Sequence, residues 1–185
     1  MMRDISLHIM DIMQNSIKAG AKCIEITLKV DRERDLLCVS IKDDGCGMDE
    51  EFVKKVISPF TTTRTTRAIG LGVPMFKQTA EMTGGEFSLK SKVGKGTEIA
   101  VNYIISSIDR LPLGDVGDTI INTVLSYPEL RYKLETEEFM FDTEEVKQKL
   151  GDVKITEFEV INWLREYINE GIGEALGGVL PELGK

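Results

Sequence analysis

Four short polar motifs stand in a fixed order in the first hundred residues, and each falls where a regular stretch ends or shows its polar side. They are Asp11-Ile-Met-Gln-Asn15-Ser-Ile-Lys18, Asp43-Asp-Gly45-Cys-Gly47, Gly70-Leu-Gly72 and Gly94-Lys-Gly96-Thr97. A lone Gly-x-Gly marks an ordinary turn. Four such motifs, spaced by stretches of helix and strand period, require a fold that gathers them around one pocket.

Residues 5–19 read as a helix. At about 100° per residue, Ile5, Ile9, Ile12, Met13 and Ile17 fall on one side, and His8, Asp11, Asn15 and Lys18 form a narrow polar stripe on the other. Gly20 ends the helix as a C-cap. Such a stripe is usually a solvated face, but an acid, an amide and a cation at helical spacing also suit a metal-bound phosphate. Residues 23–30 alternate, with Ile24, Ile26, Leu28 and Val30 on one face. After the charged turn 31–35, Leu37, Val39 and Ile41 share the inward face of a second strand, and Asp43 has their parity. A carboxylate so placed needs a partner. It either caps the turn or accepts a hydrogen bond from an adenine amino group.

Residues 49–57 form a short helix. Residues 58–67 have no hydrophobic period. Their hydroxyls, with Arg64 and Arg67 and with Gly70 and Gly72 closing the stretch, suit a lid over a polyphosphate. A helix over 73–82 starts behind Gly72, with Pro74 in its first turn and Gly84-Gly85 stopping it. Residues 86–92 and 97–105 make a hairpin in which Thr97 shares the parity of Ile99, Val101 and Tyr103.

The expected organisation is a first unit over 1–105, a linker over 106–115 and an α+β extension over 116–185. In the extension, helices are read over 116–125, up to Leu150 and over 157–176, with short strands at 130–135 and 139–141. Its apolar helix faces either complete a small core or dock a protein partner or a second copy, the homodimer alternative. With 31 acidic against 23 basic residues, the chain carries a formal net charge of -8, unlike a nucleic-acid binder. No apolar run reaches the ~20 residues of a membrane span, and no leader-like segment follows Met1, so a cytoplasmic location is expected. Cys23, Cys38 and Cys46 make neither a disulfide framework nor a zinc pattern. The first two read as small packing residues in strands.

Taken together, these residues resemble the GHKL ATP-binding domain, or Bergerat fold, shared by sensor histidine kinases, anti-sigma-factor serine kinases, MutL, gyrase B and heat-shock chaperones. The 11–18 stretch is similar to the family's N-box, 43–48 to its G1 box, Pro59-Phe60-Thr61-Thr to the F-box, Gly70-Leu71-Gly72-Val73 to G2, and 94–97 to the last box. The resemblance covers about residues 5–105. It implies a two-layer α/β sandwich, a mixed sheet with helices on one face, and the cofactors ATP and Mg2+.

Carried over by position, the resemblance implies that Asn15 ligates Mg2+ and acts with Asp11 in catalysis. Asp43 would read the adenine amino group with Thr97 in support, and Gly45, Gly47 and Met48 would shape the base pocket. Lys18 and Arg64 would neutralise phosphate charge. Phe60 and Thr61 would belong to the lid, and Gly70, Leu71, Gly72 and Val73 would hold the phosphates. Members that hydrolyse ATP or act as serine kinases carry Glu where Asp11 stands, and aspartate is one methylene shorter. The residues before His8 leave no room for the helical hairpin with the phosphoacceptor of histidine kinases. The expected function is therefore a stand-alone kinase-like module that passes phosphoryl to a separate protein. A catalytically silent ATP sensor and an ATP-driven conformational switch are the alternatives.

Overall fold

The computed structural model describes residues 2–57 and 71–183. Helix α1 (Ile5–Lys18) opens on Asp4, whose carboxylate accepts from the Leu7 amide at 3.0 Å, a cap worth about 1 kcal/mol. The strands β1 (Cys23–Asp31) and β2 (Leu36–Asp43) follow, then α2 (Glu50–Ile57), α3 (Gly72–Met82), β3 (Glu86–Lys92) and β4 (Gly96–Ile104). The remainder folds as α4 (Val116–Ser126), β5 (Arg131–Glu135), β6 (Met140–Asp142), α5 (Thr143–Leu150), α6 (Phe158–Leu176) and a short 3-10 turn, Pro181–Leu183.

The six strands form one mixed sheet in the order β3-β4-β2-β1-β5-β6. β1 pairs antiparallel with β2 and parallel with β5, and the other pairs are antiparallel. Strand period decides which face is covered. Ile24, Ile26, Leu28, Leu37, Val39, Ile41, Ile99, Val101, Tyr132 and Leu134 alternate onto the buried face. The opposite face carries ion pairs of Lys29 with Glu135 and of Lys42 and Lys133 with Glu25. Cys23 and Cys38 lie on this outer face, half-buried rather than in the core. Burial pushes both thiols up, away from reactive thiolate.

The 106–115 stretch runs along the start of α1, with Ile5 and Ser6 donating backbone hydrogen bonds to Pro112 and Leu113. α4 packs on α1 and on α6, and Ile120, Ile121, Leu164 and Ile168 join the same core as Ile9 and Met13. Arg110 and Glu182 form a two-pronged ion pair, at 2.6 and 3.1 Å, that holds the end of α6's tail against this stretch.

One expectation for α1 is corrected. His8 does not belong to the polar stripe: it is 1% exposed, and its ring stacks on Phe76 of α3 with centroids 5.6 Å apart. On the helical wheel it lies about 40° from Ile12, on the stripe's core-side edge, and α3 covers that edge. Among the described residues neither ring nitrogen has a hydrogen-bond partner. Burial therefore pulls the imidazole below its ordinary 6.5, with Asp11 and Asp4 raising it part of the way back. In the unfolded chain the ring takes a proton below about 6.5; in the folded chain it does so only at lower pH. The unfolded state then binds more protons, so stability is expected to fall as pH drops below 6.5. The loss of melting temperature between pH 7.5 and 5.5 is expected to be smaller in His8→Phe than in the parent. Equal losses would contradict a buried neutral ring.

Candidate functional site

β2 delivers Asp43 to the covered face at its C-terminal end, 8% exposed. One carboxylate oxygen accepts from the Ser16 hydroxyl of α1 at 2.8 Å, the other from the Gly45 amide at 2.9 Å. Ser16 also lies 3.2 Å from the Ile12 carbonyl. The hydroxyl has one proton, and the shorter contact to a charged acceptor takes it. A carboxylate has about four acceptor positions, so after these two bonds Asp43 keeps acceptor capacity for an outside donor.

The Asp43–Gly47 loop is clamped between two elements. Cys46 donates to the Ala19 carbonyl at the end of α1, and Gly94 of the β3–β4 hairpin donates to the Cys46 carbonyl at 2.7 Å. Gly47 has φ +66°, and a side chain there would run into the Lys92 backbone, so glycine is required. Across the sheet Thr97 is the register partner of Asp43. Thr97 hydrogen bonds not with that carboxylate but with Ser91, at 2.8 Å. Ser91 also accepts from the Met48 amide at 2.8 Å. Thr97, Ser91 and Met48 thus form one hydrogen-bonded set, and Asp43, held by Ser16 and Gly45, stands opposite it in the β2–β4 register.

The hairpin glycines allow a direct test of this geometry. Gly96 has φ +96°, and an added Cβ would overlap the Asp43 carbonyl. Gly96→Ala is expected to cost about 3 kcal/mol in denaturant unfolding, because it forces β2 and β4 apart at the site. Gly94, with φ +72° and open space around it, should cost only about 1 kcal/mol as alanine. Equal costs would mean that the β2–β4 approach is not tight.

α1 links this cluster to the second part of the site. Asp11, Asn15 and Lys18 lie on its outward stripe, Asp11 and Asn15 half-exposed and Lys18 exposed. Gly72, the first residue of α3, sits against Asp11: a Cβ there would be 3.0 Å from the Asp11 carboxylate. The α3 N-terminus therefore opens beside Asp11, roughly 12 Å along the helix from the Ala19 end that holds the Asp43 loop. Leu71 is exposed and Val73 is buried in the core. Phe60, Thr61, Arg64 and Gly70 lie outside the described residues.

Sequence reasoning missed Ser16 and Ser91. Ser16 had a legible signal, since it falls in the middle of the apolar side of the α1 wheel, where a hydroxyl needs an acceptor. Ser91 is marked only by its position opposite Thr97 in the hairpin.

The arrangement offers an acceptor for a planar donor at one end and amide donors for an anion at the other. Among the described residues no group of three or more His, Cys, Asp or Glu is placed to hold a metal. The donor on the α1 stripe is a single amide oxygen, from Asn15, one turn from Asp11. That fits a hard cation which keeps most of its waters and shares a ligand's phosphate oxygens.

A family model described as histidine kinase-, DNA gyrase B- and HSP90-like ATPase matches residues 3–105. Among curated proteins, the chain is similar to the sensor histidine kinase YkoH of Bacillus subtilis, 33% identical over 97 residues, covering 50% of this chain and 21% of that protein. It is also similar to the sensor protein DegM of a Bacillus species, 30% identical over 97 residues, covering 52% of this chain and 26% of that protein. The chain thus spans about a quarter or less of the length of these relatives. Among solved structures it resembles the Aquifex aeolicus MutL ATPase domain complexed with ADP, with a TM-score of 0.53 and 18% identity, covering 80% of this chain and 69% of that one. That likeness is one of fold.

Proposed function

Since the chain belongs to the family of histidine kinase-, DNA gyrase B- and HSP90-like ATPases, we propose that it binds ATP with Mg2+ and passes the γ-phosphoryl group to a separate protein. The observation that carries this reading is the Ser16–Asp43–Gly45 hydrogen-bond set. It holds an acceptor for the adenine amino group at one end of α1, while the start of α3 meets Asp11 farther along the same helix.

In this reading Asp43 and the Asp43–Gly47 loop bind and orient the base. The amides at the start of α3, with Lys18 and Arg64, hold the phosphates. Asn15 would hold Mg2+, which when bound neutralises charge on the β- and γ-phosphates. Asp11 lies beside the phosphate end and takes the proton from an attacking hydroxyl. The acceptor oxygen bonds to the γ-phosphorus, the bond from that phosphorus to the β–γ bridging oxygen breaks, and ADP carries the electron pair away. The one histidine in these 185 residues is His8. Sealed in the core at 1% exposure, it is not the phosphoryl acceptor.

A second reading also has an observation in its favour. α1 carries the site on one side and packs on α4 with the other, so nucleotide binding has a direct route to the C-terminal elements. Incubation with Mg2+ and γ-labelled ATP, alone and with cell extract, separates the two. Label on another protein, lost in Asp11→Asn while that variant still binds ATP, is the expected result. Binding with neither label nor released phosphate would replace the kinase reading with a nucleotide sensor.

A further inference from the structure

The sheet ends at β6, and a groove of about 170 Å³ runs between β6, α5 and α6. Its apolar walls are Met140, Phe141, Val146, Leu150, Trp163 and Tyr167. Met140 is 66% exposed, Trp163 54% and Tyr167 38%. One helical turn apart, Trp163 and Tyr167 stack with centroids 5.2 Å apart and planes 11° from parallel, and Phe139 meets Tyr167 edge-on at 5.1 Å. Val153 and Phe158, at the connection from α5 to α6, extend the exposed apolar surface. A stretch of this kind marks a docking surface.

Charge identifies what docks there. Residues 135–178 hold 12 of the 31 acidic residues and 4 of the 23 basic ones, a net of -8; the rest of the chain, with 19 of each, is neutral. Glu159, Glu166 and Glu170 lie on the exposed side of α6 at three- and four-residue spacings from Trp163 or Tyr167, with Glu174 exposed two turns beyond Tyr167. Glu144 and Glu145 open α5, and Glu145 lines the groove. Within the groove wall, Asp142 is already paired with Arg131 at 2.6 Å, and Lys149 is the basic member. A second copy would set this negative surface against itself, and an anionic membrane would be repelled in the same way.

We propose that this groove docks a cationic amphipathic helix of a separate protein. Its apolar side would lie on Met140, Trp163 and Tyr167, and its lysines or arginines would face the glutamates of α6. The site lies on elements apart from α1, β2 and α3, so it goes beyond the nucleotide reading and has its own readout.

Trp163 is the only tryptophan in the sequence and reports on the groove directly. The probe is a helical peptide with leucine at i, i+3, i+4 and i+7 and lysine elsewhere, titrated into the full chain. The expected result is a saturable blue shift of Trp163 emission that weakens at least tenfold when salt is raised from about 0.05 to about 0.5 M. Glu166→Lys with Glu170→Lys should weaken binding at least tenfold. Glu33→Lys with Asp109→Lys, the same change of net charge outside β6, α5 and α6, should leave it within twofold. Tyr167→Ala with Met140→Ser should also weaken it at least tenfold while keeping the reporter. Four outcomes would overturn the proposal: no shift, an equal shift with a glutamate–leucine peptide, equal affinities for the two charge variants, or a shift produced by protein concentration alone.

Discussion

Replacing Asp43 by asparagine is expected to weaken ATP binding about a hundredfold, equivalent to about 2.8 kcal/mol, while leaving the affinity for inorganic tripolyphosphate within a factor of two. The carboxylate has acceptor capacity left after the Ser16 and Gly45 bonds. An asparagine keeps one acceptor oxygen and puts an NH2 group in place of the other, so the site loses acceptor capacity and can meet the adenine amino group donor to donor. Specificity of this kind comes from a polar group left unpaired, and its effect is large where the site is dry. Calorimetric titration of both ligands into both proteins measures the difference. Equal losses for ATP and tripolyphosphate would remove Asp43 from base recognition and make it a structural anchor of the Gly45 loop.

The second large effect is expected at Asn15. Asn15→Ala should remove most of the gain that Mg2+ gives to nucleotide affinity, so that the ratio of affinities with Mg2+ and with chelator falls from tens to near one. Folding should not suffer, since Asn15 lies half-exposed in the last turn of α1 and alanine is the better helix former. A melting temperature equal to or above the parent's is the control. An unchanged Mg2+ effect would move the metal to another residue.

Much of this arrangement was legible in the sequence, for identifiable reasons. The strand carrying Leu37, Val39 and Ile41 puts the next odd-numbered position on the same face, so parity alone brought Asp43 inward. Parity put Thr97 on the face of Ile99 and Val101, and the family resemblance put it beside Asp43; the register pairs the two, with the Thr97 hydroxyl bonded to Ser91. The wheel of α1 separated Asp11, Asn15 and Lys18 from the isoleucines. It failed at His8 because a wheel gives an angle and not a neighbour: Phe76, which covers the ring, comes from a helix 68 residues later in the chain. Ser16 stands at a core angle on the same wheel, but its acceptor, Asp43, lies 27 residues away in the chain and is brought to it only by the fold.

Local pattern also did not show that the strands of the C-terminal extension join the first sheet. β5 pairs in parallel with β1 across more than a hundred residues, Ile24 against Tyr132, and such a register is set by packing of α4 against α1 rather than by any turn. The clustering of the chain's whole net charge in 135–178 was readable from the first line of sequence. It gained meaning only when the structure put Trp163, Tyr167 and Met140 in the same place.

The most direct measurement is a crystal structure of the chain with Mg2+ and a non-hydrolysable ATP analogue. The expected result has the adenine amino group donating to the Asp43 carboxylate, the metal on the Asn15 side-chain oxygen, and the γ-phosphate near Asp11 and the first amides of α3. A nucleotide bound elsewhere, or one whose base lies away from Asp43, would contradict it.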